Sequence, residues 1–481
     1  VRDLDRAAIE TFGVPGYELM TRAGHATLGA LRALWPAARS LCVLSGPGNN
    51  GGDGYVIARV ARAQGLRVTT VALAEPAALR GDAARAFADF LAGGGSTTAW
   101  SAHVLEADLI VDAIFGTGLT RPVDGVAAEV LRAVNAGGRP VVAVDIPSGL
   151  HADTGAVLGV AARAAATVTF IGRKAGFYLG EGPDYTGHVV FDSLGVPQET
   201  YREVGCVARL LEDALIRLAL PRRPRTAHKG RNGHVLVVGG GPGMPGAARL
   251  AGEAALRAGA GLVTVATHPS SVGALAVRPE LMAAAVTGEA EFALAIERAT
   301  VLAVGPGLGQ SAWAQELLRA ALASRRPLIV DADALNLLAG AQVRRDDWVL
   351  TPHPGEAARL LGLDSAAAVQ RDRLAAAIAL QSRFGGTVVL KGAGTIVKGP
   401  EALPEICERG NPGMAVGGMG DVLTGIIAGI AAQCGDLALA ARAGVLVHAL
   451  AGDLAARKGE RGMLAGDLLN QVRACVNPNA V

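Results

Sequence analysis

Leu41-Cys-Val-Leu-Ser-Gly-Pro-Gly-Asn-Asn-Gly-Gly-Asp-Gly54 runs from an apolar strand through a glycine-rich turn into a helix expected to start near Tyr55. At a strand-to-helix turn, free N–H groups and the helix dipole favour an anionic ligand. Glycine, lacking a Cβ, lets the backbone approach such a ligand closely. One or two glycines would suit an ordinary turn, whereas five of them interleaved with Asn49, Asn50 and Asp53 point to a binding site.

Outward from this turn, short apolar runs alternate with Ala-rich helical stretches: Leu41 to Leu44, Val68 to Leu73, Leu109 to Ala113, Val141 to Ile146, Val168 to Ile171 and His188 to Phe191. This alternation implies parallel βαβ units, and near-continuous apolar strands fit a sheet covered on both faces. Two more strand ends carry acids, in Val111-Asp112-Ala-Ile-Phe-Gly-Thr-Gly-Leu119 and Val144-Asp145-Ile-Pro-Ser-Gly-Leu150. Taken singly, each Asp suits a helix cap or a turn. Three polar strand ends together converge on the edge where doubly wound sheets bind ligands.

A second α/β series follows, with strands expected at Val235 to Val238, Leu262 to Ala266, Val301 to Val304, Leu328 to Val330, Trp348 to Leu350, Thr387 to Leu390 and Thr395 to Val397. Its own glycine loop, Asn411-Pro-Gly-Met-Ala-Val-Gly-Gly-Met-Gly-Asp-Val-Leu-Thr-Gly425, puts Gly417, Gly418, Gly420 and Asp421 ahead of an apolar helix, so a second active site is expected. Between the halves, Leu220-Pro-Arg-Arg-Pro-Arg-Thr-Ala-His-Lys-Gly-Arg-Asn-Gly-His234 breaks the apolar rhythm. The expected domains are therefore residues 1–222 and 223–481, two unlike three-layer α/β/α domains.

Composition narrows the function classes. With 51% hydrophobic and 18% charged residues in 481, the chain has ample core and is not disordered. A formal charge of +2 leaves no electrostatic footprint for nucleic acid or an anionic membrane; the clearest basic cluster, Arg222 to Arg231, reads as a linker with phosphate contacts. Five scattered cysteines without CxxC spacing support neither a disulfide framework nor a zinc site, and suit a cytoplasmic protein. No run of 18 uninterrupted apolar residues suggests a membrane span, and Val1, Arg2, Asp3 and Asp5 carry no signal-peptide apolar stretch. A homo-oligomer is expected.

Asn49-Asn-Gly-Gly-Asp-Gly54, Asp112-Ala-Ile-Phe-Gly-Thr-Gly-Leu119 and Asp145-Ile-Pro-Ser-Gly-Leu150 resemble the signature blocks of the NAD(P)H-hydrate epimerase family, across about the first 200 residues. The resemblance implies a Rossmann-like domain binding NADHX or NADPHX through Asn49, Asn50, Gly51, Gly52, Asp53, Gly116, Thr117, Gly118, Leu119 and Asp145. It also implies K⁺ held by Asn50, Asp112 and Ser148, all oxygen donors suited to a hard cation. Asp145 would be the acid/base, as exchange of configuration at the hydrated carbon needs a proton delivered and removed.

In the second half, His228-Lys-Gly-Arg-Asn-Gly-His234, Gly305-Pro-Gly-Leu-Gly309, Asp331-Ala-Asp-Ala-Leu-Asn336, Thr351-Pro-His-Pro-Gly-Glu356 and Lys391-Gly-Ala-Gly-Thr395 resemble, in order and wording, the ADP-dependent NAD(P)H-hydrate dehydratase family, a ribokinase-like fold. The match implies ADP binding by Lys391, Gly392, Ala393, Gly394, Thr395, Asn411, Gly417, Gly418 and Gly420, with Mg²⁺. The hydrated nucleotide would face Gly307, His353 and Asp421, and Asp421 would deprotonate a substrate hydroxyl for phosphoryl transfer. Simpler roles compete: His353 could order a turn, Asp331 and Asp333 could cap a helix or help hold magnesium through water, and Lys391 could be solvated, although beside Gly-Ala-Gly it suits phosphate. The rival reading is a ribokinase-like kinase of a small metabolite, with a non-catalytic nucleotide- or RNA-binding N-terminal module.

Overall fold

The computed structural model describes residues 1–477, so the last four residues of the expected second domain lie outside the described part. The chain divides into two compact units between Cys206 and Val207.

In the first unit seven strands, β1 (Ser40–Ser45), β2 (Arg67–Ala72), β3 (Thr97–Thr98), β4 (Leu109–Ala113), β5 (Val141–Val144), β6 (Ala166–Phe170) and β7 (His188–Asp192), pair in parallel in the order β3-β2-β1-β4-β5-β6-β7. The strand period of two explains the continuous apolar run at β1. Leu41 and Val43 enter one core with Tyr55, Phe90 and Val111, while Cys42 and Leu44 enter another with Ile110 and Leu131. Strand order reverses between β1 and β4, and the crevice outside their carboxyl ends is where such sheets take ligands. The helix after β1 spans Asn49–Ala63 and so begins earlier than Tyr55. A Cβ on Gly51 would lie 2.0 Å from Gly46 O, so this glycine allows the helix to sit directly on the turn.

The second unit holds ten strands: β8 (Arg209–Leu210), β9 (His234–Val238), β10 (Leu262–Thr267), β11 (Met282–Ala285), β12 (Val301–Val304), β13 (Leu328–Val330), β14 (Trp348–Leu350), β15 (Thr387–Leu390), β16 (Thr395–Lys398) and β17 (Glu405–Cys407). Their order is β11-β10-β9-β12-β13-β14-β15-β16-β17-β8, with β16 antiparallel to both neighbours. The expected boundary at residue 222 is corrected by β8: Arg209 and Leu210 pair with Glu405 and Ile406, which commits the chain to the second sheet before the proline- and arginine-rich stretch begins. Short strands such as β3 and β8 carry no apolar alternation, which is why sequence did not reveal them.

The Met419–Cys434 and Leu437–Ala456 helices lie in the core of this unit. Ile426, Ile427 and Ile430 are fully buried, and truncating any one to Ala is expected to cost about 2–5 kcal/mol. A Cβ on Gly425 would stand 2.0 Å from Ala251 O, so the Met419–Cys434 helix meets the Pro245–Arg257 helix backbone to backbone. The Leu437–Ala456 helix is the one helix among the described residues long and apolar enough to cross a membrane, and 61% of its apolar window is buried inside the protein.

Candidate active sites

The first crevice is a cavity of about 550 Å³ at the carboxyl ends of β1, β4, β5 and β6. Asn49, Asn50, Asp53, Gly116, Thr117, Gly118, Leu119 and Asp145 line it. Gly51 and Gly52 do not; they lie buried in the first turn of the Asn49–Ala63 helix. Asp145 follows β5 in the left-handed region, at φ 64°. That conformation costs about 1–2 kcal/mol for a non-glycine residue. Here it accompanies a specific partnership: the buried ammonium of Lys174 forms an ion pair with the Asp145 carboxylate and donates to Thr169 Oγ1 at 2.7 Å. Thr169 Oγ1 and Phe170 N each donate to Asp145 Oδ1 at 3.3 Å.

Two further acids share the cavity. Burial, then the Asp145 charge, pushes Asp5 up to about 6 and Asp53 well above the usual carboxylate range. Acids of raised pKa and an ion-paired carboxylate are thus held in one crevice. Sequence reasoning named Asp53 and Asp145 but missed Lys174 and Asp5. Lys174 follows β6 at the same edge as the other strand-end acids, and that was the available signal.

Behind the cavity wall Asp112 and Ser148 are fully buried. Ser148 donates through Oγ to Asp112 Oδ1 at 2.6 Å and through N to Asp112 Oδ2 at 2.8 Å, and accepts from Phe115 N at 2.8 Å. Asn50 Nδ2 donates to Phe115 O at 3.0 Å, while the buried Asn50 Oδ1 has no donor among the described residues. Burial pushes Asp112 up to about 6 despite the hydrogen bonds from Ser148. A desolvated carboxylate near an amide oxygen without a donor is a donor set that suits a hard monovalent cation.

The second site gathers at the carboxyl ends of β12 to β15 and the start of the Met419–Cys434 helix. Asp421 lies in that helix's first turn. Burial, then the charge of Asp331, pushes it up to about 7. Burial also opposes ionisation of Asp331, but Lys391 Nζ at 2.6 Å and Thr424 Oγ1 at 2.8 Å outweigh it and its pKa falls. Lys391, 3.8 Å from Glu356, is likewise opposed by burial and raised by Asp331 and Glu356. Burial lifts Glu356 itself to about 7.

The loops around this cluster are fixed by their own bonds. His353 caps the Pro354–Leu361 helix: its Nδ1 accepts from Gly355 N at 3.0 Å, and Glu356 Oε2 accepts from His353 N at 2.7 Å. The turn-ordering role is therefore real, and Nε2 faces Glu356 Oε1 at 3.4 Å. Asp333 accepts from Gly309 N at 2.8 Å, tying the Gly307 loop to the Ala332–Leu338 helix that follows β13. The buried guanidinium of Arg373 donates to the carbonyls of Leu390, Lys391 and Gly394 at 3.3 Å each and so shapes the Lys391, Gly392, Ala393, Gly394, Thr395 turn. Asn411 donates to Asp453 at 2.9 Å. Sequence reasoning gave no role to Arg373 or Glu356. An arginine inside an Ala-rich helix carries no local signal of the loop it supports.

Two α/β units, each with an acid-bearing ligand edge at the carboxyl ends of its strands, define a two-site enzyme. The comparisons fix its kind. Residues 16–176 match the family model described as YjeF-related protein N-terminus, and residues 235–473 match the NAD(P)H-hydrate dehydratase model. The chain is 47% identical over 481 residues to a bifunctional NAD(P)H-hydrate repair enzyme of Coxiella burnetii, covering 99% of this chain and 98% of that one. It is 46% identical to the enzyme of the same description from Escherichia coli, covering 99% and 93%. Among solved structures, the ADP/ATP-dependent NAD(P)H-hydrate dehydratase of Bacillus subtilis, co-crystallized with ATP and Mg²⁺, is similar at 28% identity and TM-score 0.51, covering 56% of this chain and 98% of that one. The chain belongs to the family of bifunctional NAD(P)H-hydrate repair enzymes.

Proposed function

We propose that the first unit interconverts the R and S epimers of NADHX and NADPHX, and that the second dehydrates the S form to NAD(P)H at the expense of ADP, giving AMP and phosphate. The observation carrying this reading is the pairing of two separate acid centres, Asp145 beside Lys174 and Asp421 beside Lys391, within a chain alike from end to end to repair enzymes.

In the first unit the nucleotide lies along Asn49, Asn50, Asp53 and Gly116 to Leu119. Asp145 exchanges a proton with the substrate and Lys174 holds its carboxylate in place. Asn50, Asp112 and Ser148 fit K⁺, which would fix the Gly116 loop against the helix start and contribute positive charge near the nucleotide phosphates. In the second unit Asp421 takes the proton of the substrate hydroxyl, which attacks the terminal phosphoryl group of ADP. The ring nitrogen then expels phosphate, and loss of a ring proton restores the dihydronicotinamide. N–H groups at Gly418 and Gly420 face the transferring charge, and the Lys391 to Thr395 turn with Asn411 and Gly417 holds the nucleotide. The described residues contain no cluster of three metal-ligating side chains. Mg²⁺ would therefore be held mainly through nucleotide phosphates and water, supplying neutralisation of phosphate charge. Five free cysteines accord with a cytoplasmic location, which fractionation tests; light scattering tests the expected homo-oligomer.

The deciding experiment supplies mixed R and S NADHX with K⁺, Mg²⁺ and either ADP or ATP, and follows the return of dihydronicotinamide absorbance. Complete return with ADP, faster than spontaneous epimerisation, is expected. Return that stops at the S fraction would remove the epimerase reading, and no return with either nucleotide would remove the dehydratase reading.

A further inference from the structure

The arginine-rich run Arg222 to Arg231 takes no part in either reaction, yet it forms a wall of an open cleft of about 1580 Å³ inside the second unit. Six arginines line the cleft, Arg217, Arg222, Arg223, Arg231, Arg257 and Arg473, against the single acid Asp436. Two of them are engaged. Arg223 donates to Gly259 O and to Gln433 Oε1, each at 2.5 Å, and Arg257 lies 3.9 Å from Glu253. Arg217, Arg222, Arg231 and Arg473 are exposed. Among the described residues none of these four has a carboxylate within 4.0 Å.

Helix ends account for part of this charge. The Pro245–Arg257, Met419–Cys434 and Ala465–Cys475 helices all finish at the cleft, and their carbonyl ends attract cations. That explains Arg223, Arg257 and Arg473, and Arg217 likewise stands in the last turn of the short Ala214–Ala219 helix. It does not explain Arg222 and Arg231 on the connecting segment. Unpaired guanidinium groups gathered around one cleft repel one another until an anion sits among them, and their planar forks match phosphate oxygens. Leu218, Leu220, Pro221 and Leu256 add apolar wall, and the Leu218 side chain stands 67% exposed. A ligand with several phosphate charges and a flat apolar body meets both surfaces.

We propose that this cleft binds a small organic polyphosphate of the nucleotide class, at a site distinct from the one around Asp421. The two lie at opposite ends of one helix, with Asp421 in its first turn and Gln433 and Cys434 in its last. At 1.5 Å per residue this separates them by about 20 Å. The proposal does not depend on which reaction the second unit performs.

The test is calorimetric titration of the full chain at low salt with ADP and with inorganic tripolyphosphate, comparing it with the Arg222→Ala, Arg231→Ala, Arg473→Ala variant. The unaltered chain is expected to show two classes of ADP site and the variant one, with cleft affinity at least roughly tenfold weaker and dehydration unchanged. Should that variant fail to fold, Arg222→Ala with Arg231→Ala, both on the connecting segment, asks the same question. Equal binding of both probes to chain and variant, whatever the number of ADP sites, would overturn the proposal. So would binding of a single-stranded oligonucleotide without binding of ADP or tripolyphosphate, which would make the cleft a nucleic-acid surface.

Discussion

Asp145 and Asp421 occupy corresponding edges of two sheets but are supported in opposite ways. Asp145 leaves its strand in a left-handed turn and is paired with the buried ammonium of Lys174. Asp421 sits in a helix first turn and, among the described residues, has no ion pair of its own, since Lys391 is committed to Asp331. In the first centre the raised pKa values belong to neighbouring acids, Asp5 and Asp53, through burial and the Asp145 charge. In the second, burial first, and then the charges of Asp331, Asp333 and Glu356, keep Asp421 itself poised near neutrality, at about 7. Which carboxylate the lysine chooses decides which one is left to accept a proton.

The largest effect is expected from Asp421→Ala, which should lower dehydration of pure S substrate by about 10³-fold, within the range for loss of a general base, while epimerisation and melting temperature stay unchanged. Parallel loss of both reactions would break the comparison, since it requires two independent centres. Asp145→Ala should reverse the pattern, with epimerisation down about 10²- to 10³-fold. Lys174→Met, which leaves that carboxylate without its cation, should follow at roughly 10- to 100-fold. Unaltered epimerisation in Lys174→Met would mean the ion pair is only structural. Asn50→Leu removes the amide oxygen that has no donor, and should weaken K⁺ activation of epimerisation by roughly 10-fold or more while dehydration ignores K⁺. A titration of rate against K⁺ concentration checks it.

The two centres also differ in how far they could be read in advance. The first sheet was legible because β1, β4 and β5 are apolar on both faces and end in Asp or glycine-rich turns, so the ligand edge followed from pattern, while the residues assigned to it came from the family resemblance. The second gave up its longer apolar strands in the same way, and the role of Asp421 came from the resemblance. What stayed hidden are partners supplied from a distance. Lys174 lies 29 residues beyond Asp145, Asp331 lies 60 residues before Lys391, and Arg373 braces a loop from within a helix. No local period encodes such meetings; they arise only when the strands assemble. The glycines of Asn49 to Gly54 carried the opposite lesson. They mark a ligand edge, but Gly51 is required by packing against Gly46, so a phosphate-loop reading of each glycine overstated its role.

The smallest expected effect probes the electrostatic half of the comparison most directly. A base acts as its carboxylate, so dehydration should be lost as pH falls through about 7, where Asp421 takes up a proton. Glu356 contributes to that high value, since its negative charge disfavours a second one nearby. Glu356→Gln removes the charge and keeps an oxygen that can accept from His353 N, preserving the cap of the Pro354–Leu361 helix. With less repulsion Asp421 ionises more readily, and the acid limb of the dehydration profile should move down by roughly half a pH unit. The epimerisation profile, governed by the other unit, should not move. A limb that stays in place in Glu356→Gln but vanishes in Asp421→Asn would show that Glu356 is too well compensated by Lys391, at 3.8 Å, to be felt by Asp421. The lysine would then be shared between two acids rather than committed to Asp331 alone.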